Sequence, residues 1–193
     1  MKSALKRDTE STRDQSDAAL MAAIAAGDLG PLGALFDRHH EAVRQMLLRT
    51  SPNSADVDDL VQETFLTAAR AAASFDGRDS AKPFLLGVAV QMLRRRRRTF
   101  GRLRNMLESL GKAPSVAPRS PEESTSQAEE AARLRAAVDR LSEDKRLVLV
   151  MVEWNGMSGV EAAKVLGIPV GTVWRRLHEA RAEIRRTLER GSR

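Results

Sequence analysis

Residues 158–181 read SGVEAAKVLGIPVGTVWRRLHEAR, a stretch that predicts two short helices joined by a tight turn. Ser158, followed three residues later by Glu161, has the form of a capping box, in which each side chain satisfies a backbone amide at the start of a helix. Gly167 can end that helix because glycine adopts positive φ without strain. Pro169 is tolerated only before or within the first turn of a helix, so a second helix begins directly after it. The pattern is typical of a helix-turn-helix.

The second of these helices has one apolar face and one basic face. Its apolar residues recur at spacings of three and four, which predicts a stripe that packs on the preceding helices. The early residues of such a helix reach base edges in the DNA major groove. The residues expected to contact DNA are Thr172, Trp174, Arg175, Arg176, His178, Glu179 and Arg181. A solvated amphipathic helix would explain the arginines but not the capping box, glycine turn and proline together, so the sequence favours DNA binding.

Composition narrows the fold class and the location. The chain has 193 residues, of which 42% are apolar and only 4% aromatic, which favours small all-α domains over sheets. Lys and Arg exceed Asp and Glu by 32 minus 26, or six, and their excess is clustered, as in phosphate-binding proteins. The absence of cysteine fits a reducing cytoplasm. No apolar run is long enough for a signal peptide or a membrane span, so we expect a cytoplasmic protein without membrane insertion.

Helical periodicity divides the chain into two modules. Residues 1–16 are polar and mixed in charge, which predicts a disordered tail. Residues 17–105 hold four helix patterns and a loop at 75–80, whereas residues 106–128 lose the periodicity and gather Pro, Gly and Ser, as flexible linkers do. Residues 129–193 form the second module, which ends in the helix-turn-helix. We therefore predict an all-α chain of two small helical domains joined by a flexible linker.

An acidic helix in the first module suits a protein partner better than DNA. The segment DVDDLVQETF, residues 56–65, places carboxylates and an amide beside apolar side chains. Two alternatives remain open: the acids complement the positive end of the helix dipole, or they bind a divalent cation. The neighbouring pair His39-His40 could suggest a metal, but adjacent residues on a helix point in different directions, so we expect a solvated or capping role for them.

Both modules resemble the extracytoplasmic-function (ECF) sigma factors of the bacterial sigma-70 family. Residues 129–190 resemble region 4, which reads the promoter −35 element, and residues 17–104 resemble region 2. The first module carries the family's Gly-Asp after the first helix, the acidic helix, the loop SFDGRDS at 74–80 and the arginine-rich end of the next helix. The specificity of this resemblance is high because two independent motifs occur in the family's order.

The resemblance implies a role for each surface. The acidic helix is expected to dock on the β′ clamp helices of core RNA polymerase, and the second module on the β flap and the −35 DNA. Residues expected in the clamp contact are Asp58, Asp59, Leu60, Gln62, Glu63 and Phe65. The loop after the acidic helix is expected to capture a base flipped from the nontemplate strand of the −10 element, on an aromatic platform within a basic groove. Residues expected there are Phe75, Arg78, Lys82, Gln91, Arg94, Arg95, Arg96, Arg97 and Arg98. For Phe84 core packing is favoured, and for the arginine run a solvated face is the alternative.

The chain departs from the family pattern around the −10 contact. Family members usually carry Trp where this chain has Phe84, a basic residue at Gly87, Asn at Gln91 and often an acidic residue near Arg95. We therefore expect unusual −10 melting or specificity.

The sequence thus predicts a sigma factor that binds core polymerase and promoter DNA and directs transcription initiation. A Ser/His/Asp set, a glycine-rich phosphate loop and a Cys/His cluster are all lacking, so we expect no enzyme, cofactor or metal. The main alternative is a free-standing helix-turn-helix regulator, which has no need of the acidic helix. A pure protein-interaction module would leave the basic faces unexplained. Family members are often held inactive by an anti-sigma factor, which is a further expected partner.

Overall fold

The structure of the protein is a computed structural model that describes residues 15–51, 54–77, 79–109 and 126–191. The prediction of an all-α fold is confirmed, since these ranges hold eight α-helices and no strand. The helices are α1 (Asp17–Ala25), α2 (Leu32–Thr50), α3 (Val57–Arg70), α4 (Lys82–Ser109), α5 (Ser126–Asp139), α6 (Glu143–Leu149), α7 (Gly159–Leu166) and α8 (Val170–Gly191). Among them none is both long enough and apolar enough to cross a membrane.

The chain forms two compact units. One runs through Leu93 and includes Lys164–Leu166, and the other comprises Arg94–Ala163 and Gly167–Arg193. In the first unit α1 packs on α2 and α3, which pack on each other. Their apolar stripes are almost fully buried and form its core, with Leu20, Leu35, Val43, Leu47, Leu60, Phe65 and Leu86. Burying each such side chain stabilises the unit by roughly 1.5–3 kcal/mol.

In the second unit α5 and α6 pack on α8. Helix α6 begins at Glu143, and after Leu149 it widens into a π-helical turn, Val150–Trp154. The Asn155 backbone amide donates to the Val150 carbonyl five residues back at 3.1 Å, and the Asn155 side-chain amide donates to the same oxygen at 3.0 Å. Leu147, Met151 and Leu177 are buried in the core beneath this turn.

The predicted linker, 106–128, is helical at both ends. α4 continues to Ser109 and α5 begins at Ser126, because the segments there are rich in Leu, Met, Arg, Gln and Glu, which favour helix. The rest of the predicted linker, 110–125, lies outside the described residues, as do residues 1–14 of the predicted tail.

Candidate functional surfaces

The helix-turn-helix forms as the sequence predicts. The Ser158 hydroxyl accepts a hydrogen bond from the Glu161 amide at 3.2 Å, and the Ser158 amide donates to the Glu161 carboxylate at 2.8 Å. Gly167 adopts φ 66° and ψ 40°, which ends α7 in the left-handed conformation that glycine favours. The next amide, that of Ile168, donates to the Ala163 carbonyl at 3.1 Å. The turn therefore delivers the chain directly into α8.

The first part of the α8 stripe is fully buried. Val173, Leu177 and Ala180 are at most 1% exposed, whereas Ile184 and Leu188 are half-buried. This packing turns the opposite face of α8 to the solvent. Trp174, Arg175 and His178 are exposed there, with Thr172, Arg176 and Glu179 partly exposed beside them.

Three arginines of the predicted DNA-binding face are held by carboxylates. Arg175 donates to Glu179 at 2.8 Å, one turn along α8. Arg176 donates to Asp144 at 2.5 Å, and Arg181 pairs with Glu153. Ion pairs at such exposed positions contribute only about 0–1 kcal/mol each, so a DNA phosphate can replace the carboxylate at little cost.

Glu179 lies between two cations. The hydrogen bond from Arg175, with further contributions from the charges of Arg175 and Lys145, outweighs partial desolvation and lowers the pKa of Glu179. Lys145 Nζ lies 3.5 Å from Glu179 and 2.5 Å from Glu183. Glu179 is therefore a carboxylate that orients Arg175 on the exposed face of α8.

The loop before α4 brings two aromatic rings together. Phe75 and Phe84 pack edge to face, with ring centroids 5.6 Å apart and an angle of 72° between the rings. Both are half-buried, so Phe84 is not the fully buried core residue that the sequence favours. Lys82 is half-buried and Gln91 is exposed, whereas Arg78 lies outside the described residues.

The arginine run 94–98 does not share one face of α4. Successive residues on a helix differ by about 100° in direction, so five in a row surround it. Arg95 and Arg98 are exposed and one turn apart, whereas Arg94, Arg96 and Arg97 are half-buried. Arg97 pairs with Glu143, which belongs to the same unit. Contact of these arginines with the nontemplate strand stays a prediction, for which Arg95 and Arg98 are the exposed pair.

The acidic helix α3 presents a polar face interrupted by one large apolar side chain. Asp58, Asp59, Gln62 and Glu63 are exposed, as predicted, and Asp58 accepts a hydrogen bond from Arg44 at 3.2 Å. Leu66 is 52% exposed on the same face, one turn after Gln62 and Glu63.

Two residues expected on this polymerase-binding face are in the core instead. Leu60 and Phe65 are only 1% and 2% exposed, because they belong to the apolar stripe that packs inward. That their side chains contact a partner stays a prediction, and in this structure both face the core. Among the described residues, no group of three potential metal ligands converges.

The sequence did not predict the buried polar cluster around Asp17. Asp17 is 4% exposed, and its carboxylate accepts hydrogen bonds from Arg38 at 2.6 Å and from the Ala81 amide at 2.7 Å. The oxygen that accepts from Ala81, Oδ2, also lies 2.6 Å from His39 Nε2. The expectation of a solvated or capping His39 is wrong, since the residue is 9% exposed and its ring contacts Asp17. Burial acts to raise the pKa of Asp17, but the hydrogen bonds from Ala81 and Arg38 and the charge of His39 outweigh it and lower the pKa.

Comparison with known proteins identifies the family. Residues 35–102 match the model of Sigma-70 region 2, and residues 131–184 match that of Sigma-70, region 4. The chain is 35% identical over 176 residues to the ECF RNA polymerase sigma factor SigM of Mycobacterium tuberculosis, covering 91% of this chain and 86% of the relative. It is 33% identical over 187 residues to the RNA polymerase sigma factor CnrH of Cupriavidus metallidurans, covering 93% and 97%.

The fold agrees with a solved structure from the same group. The structure of CnrH in complex with the cytosolic domain of CnrY matches with a TM-score of 0.66 and 28% identity, covering 91% of this chain and 98% of that one. Because both region 2 and region 4 match in one chain, the protein is a sigma factor and not a free-standing helix-turn-helix regulator. The chain therefore belongs to the ECF sigma factors of the sigma-70 family, the subunits through which bacterial RNA polymerase initiates transcription.

Proposed function

We propose that this sigma factor uses three separate surfaces to bind core polymerase and promoter DNA. The exposed face of α3 binds the β′ clamp helices of core polymerase, the exposed face of α8 reads the −35 element, and the loop before α4 captures the −10 nontemplate strand. The observation that carries this division is the separation of charge. The α3 face is acidic around Asp58, Asp59 and Glu63, whereas the α8 face carries Arg175, Arg176 and Arg181.

On α3, the anchor of the polymerase contact is Leu66 together with the surrounding acids. Leu66 is the large apolar side chain exposed on this face, and protein interfaces bury such an apolar centre within a polar rim. The buried Leu60 and Phe65 support this face from within by fixing the orientation of the helix.

On α8, Arg175, Trp174 and His178 contact the base edges of the −35 element. Arg175 is the most exposed of the paired arginines, and Glu179 holds it in one orientation, which favours directional hydrogen bonding to a base edge. Arg176 pairs with Asp144, and Arg181 pairs with Glu153. For both arginines we propose contacts in which a DNA phosphate replaces the carboxylate.

At the −10 element, Phe75 offers the aromatic surface and Lys82, Arg95 and Arg98 offer positive charge. The edge-to-face contact with Phe84 orients the Phe75 ring. Aromatic stacking is worth roughly 1–3 kcal/mol per base, and nearby cations add affinity that depends on salt. These groups bind and orient the strand without bond chemistry of their own, since sigma factors are not generally enzymes.

Regulation and location follow from the same role. CnrH has been solved with the cytosolic domain of CnrY, which supports the proposal that a protein of the anti-sigma class covers the binding surfaces of this chain too. Because it works as part of RNA polymerase, we place the protein in the cytoplasm.

Transcription from the region upstream of its own gene tests the proposal. Purified chain and core polymerase are mixed with this template and run-off products are measured, with a scrambled −35 template as the control. We expect one specific start that needs no other sigma factor and is lost on the scrambled template. Products that appear only when a second sigma factor is added would contradict the proposal.

A further inference from the structure

The carboxylate of Asp17, in α1, contacts the backbone at Ala81. Ala81 directly follows the loop before α4, residues 75–80, which we call the −10 loop. Asp17 is the first residue of α1, yet the hydroxyl of Ser16 already caps that helix by accepting a hydrogen bond from the Ala19 amide at 3.2 Å. An acidic residue in a first turn usually stays exposed and complements the helix dipole. Here the carboxylate turns inward, and its side chain is 5% exposed. Its place in the fold is therefore not explained by the needs of α1.

The carboxylate joins three parts of the first unit. Arg38 and His39 hold it from α2, and the third partner is the backbone amide of Ala81, 64 residues away in sequence. A buried carboxylate is costly to desolvate unless several donors compensate it. A carboxylate can accept all three hydrogen bonds at once, whereas an asparagine oxygen and amide cannot.

Ala81 is where the −10 loop becomes α4. Its side chain is fully buried, and its carbonyl accepts the first α4 hydrogen bond, from Leu85 at 2.9 Å. The bond from Ala81 to Asp17 therefore fixes the point from which Lys82 and Phe84 extend. Directly before Ala81, the Ser80 hydroxyl accepts a hydrogen bond from the Lys82 amide at 3.2 Å.

The other end of the loop also rests on α1. The 3-10 helix Ala72–Ser74 packs on α1, and it is continued by the hydrogen bond from the Phe75 amide to the Ala72 carbonyl at 3.0 Å. α1 thus supports the loop at both ends, by packing before Phe75 and through the Asp17 carboxylate at Ala81. A shift at either end changes the distance between Phe75 and the basic residues of α4.

We propose that Asp17 is a positioning residue for capture of the −10 strand: by holding the Ala81 amide it sets the loop and the first turn of α4 in the geometry that receives the unpaired strand. The inference rests on the −10 role proposed for this loop. Asp17 touches no DNA itself, and it acts through Ala81.

The test compares D17N with the matched control D28N. The Asp28 carboxylate accepts a hydrogen bond from the Gly30 amide at 2.9 Å, within its own exposed turn. For each holoenzyme we measure the affinity for core, the affinity for a −35 duplex, the rate of promoter opening, and the affinity for a single-stranded oligonucleotide of the −10 nontemplate sequence. All measurements are made well below the temperature at which the variants unfold.

For D17N we expect a loss of about tenfold or more in opening rate and in binding of the single strand, as for a lost hydrogen bond to a charged group. Core and −35 affinities should stay within about twofold of the wild type, and D28N should match the wild type throughout. If D17N binds the strand normally, or loses core affinity to the same extent, Asp17 only stabilises the fold and the proposal fails. If the wild-type holoenzyme itself ignores the −10 strand, the proposed function of the loop is wrong instead.

A second pair of variants covers the case in which D17N does not fold. R38Q and H39Q each remove one charged or ring donor to Asp17 but leave the Ala81 amide in place. Each should weaken binding of the single strand by several-fold with unchanged core affinity. Full strand binding by both would overturn the proposal.

Discussion

The indole of Trp174 lies directly on Gly159, so that a Cβ atom at position 159 would be 2.5 Å from Trp174 Cζ2. Only a residue without a side chain fits beneath the ring. Gly159 is the first residue of α7, and Trp174 lies on the exposed face of α8. The two helices of the helix-turn-helix therefore meet through an aromatic ring that is still 52% exposed towards a ligand.

Replacing Gly159 by Ala should displace the indole. The free energy of unfolding should change by about 1 kcal/mol or less, because alanine's higher helix propensity, which is largest in helix interiors, offsets part of the lost contact. Trp174 should become more accessible to acrylamide in a W154F background, where it is the only tryptophan. G171A is the control, because position 171 has open space for a Cβ. Equal quenching in G159A and G171A would show that the contact does not hold the ring.

Arg175→Ala should cost about 1–3 kcal/mol in binding to the cognate −35 element and flatten the preference at one base position. Arg176→Ala should weaken cognate and scrambled duplexes to the same extent, since a phosphate contact carries no sequence information. Competition binding with holoenzyme measures both. If Arg175→Ala lost the same affinity on both duplexes, Arg175 would contribute only its charge and would not read a base.

Neutralising the exposed arginines of α4 should affect promoter melting. R95Q/R98Q should lower the salt slope of open-complex formation by about 0.7 for each lost single-strand phosphate contact. A permanganate footprint of the −10 region should show weaker thymine reactivity, restored on a premelted template. R186Q/R190Q removes the same charge from exposed positions of α8 and is the control. A defect that persists on the premelted template would assign these arginines to the polymerase contact.

The Asp17 cluster should make stability depend on pH in the acid range. Because the folded state lowers the pKa of Asp17, its contribution is fully present above the ordinary carboxyl pKa of about 3.9 and is lost as pH falls below it. The wild type should exceed D17N by about 1–3 kcal/mol at pH 6 and by less at pH 3, as measured by urea unfolding. A difference that stays constant across this range would contradict the assignment.

Local chemistry explains why the helix-turn-helix could be predicted from sequence. The capping box of Ser158 and Glu161 and the left-handed Gly167 depend on residues within a few positions of each other. The buried stripe of α8 follows from spacing in the same way. The periodicity of α3 also contains the signal that Leu60 and Phe65 point inward, and it places Leu66 with Gln62 and Glu63 on the opposite face.

Pairings between distant residues could not be predicted in this way. The contact of Asp17 with Ala81 and His39 depends on how α1 packs on the first unit, and no local pattern encodes it. The π-helical turn at Val150–Trp154 is likewise a product of packing, since its sequence alone is compatible with a regular helix. The position of Trp174 on Gly159 joins two elements whose separate patterns were clear.

The affinity of D58K/D59K for core polymerase tests the central claim most directly. Both carboxylates are exposed on α3, so the substitutions should leave the helical circular dichroism unchanged. E130K/D139K, which makes the same total change of charge at exposed positions of α5, is the control. We expect fluorescence anisotropy to show an affinity loss of about 100-fold or more for D58K/D59K, because like charges then face the partner, and a near-normal affinity for the control. A D58K/D59K variant that binds core as tightly as the wild type would contradict the account.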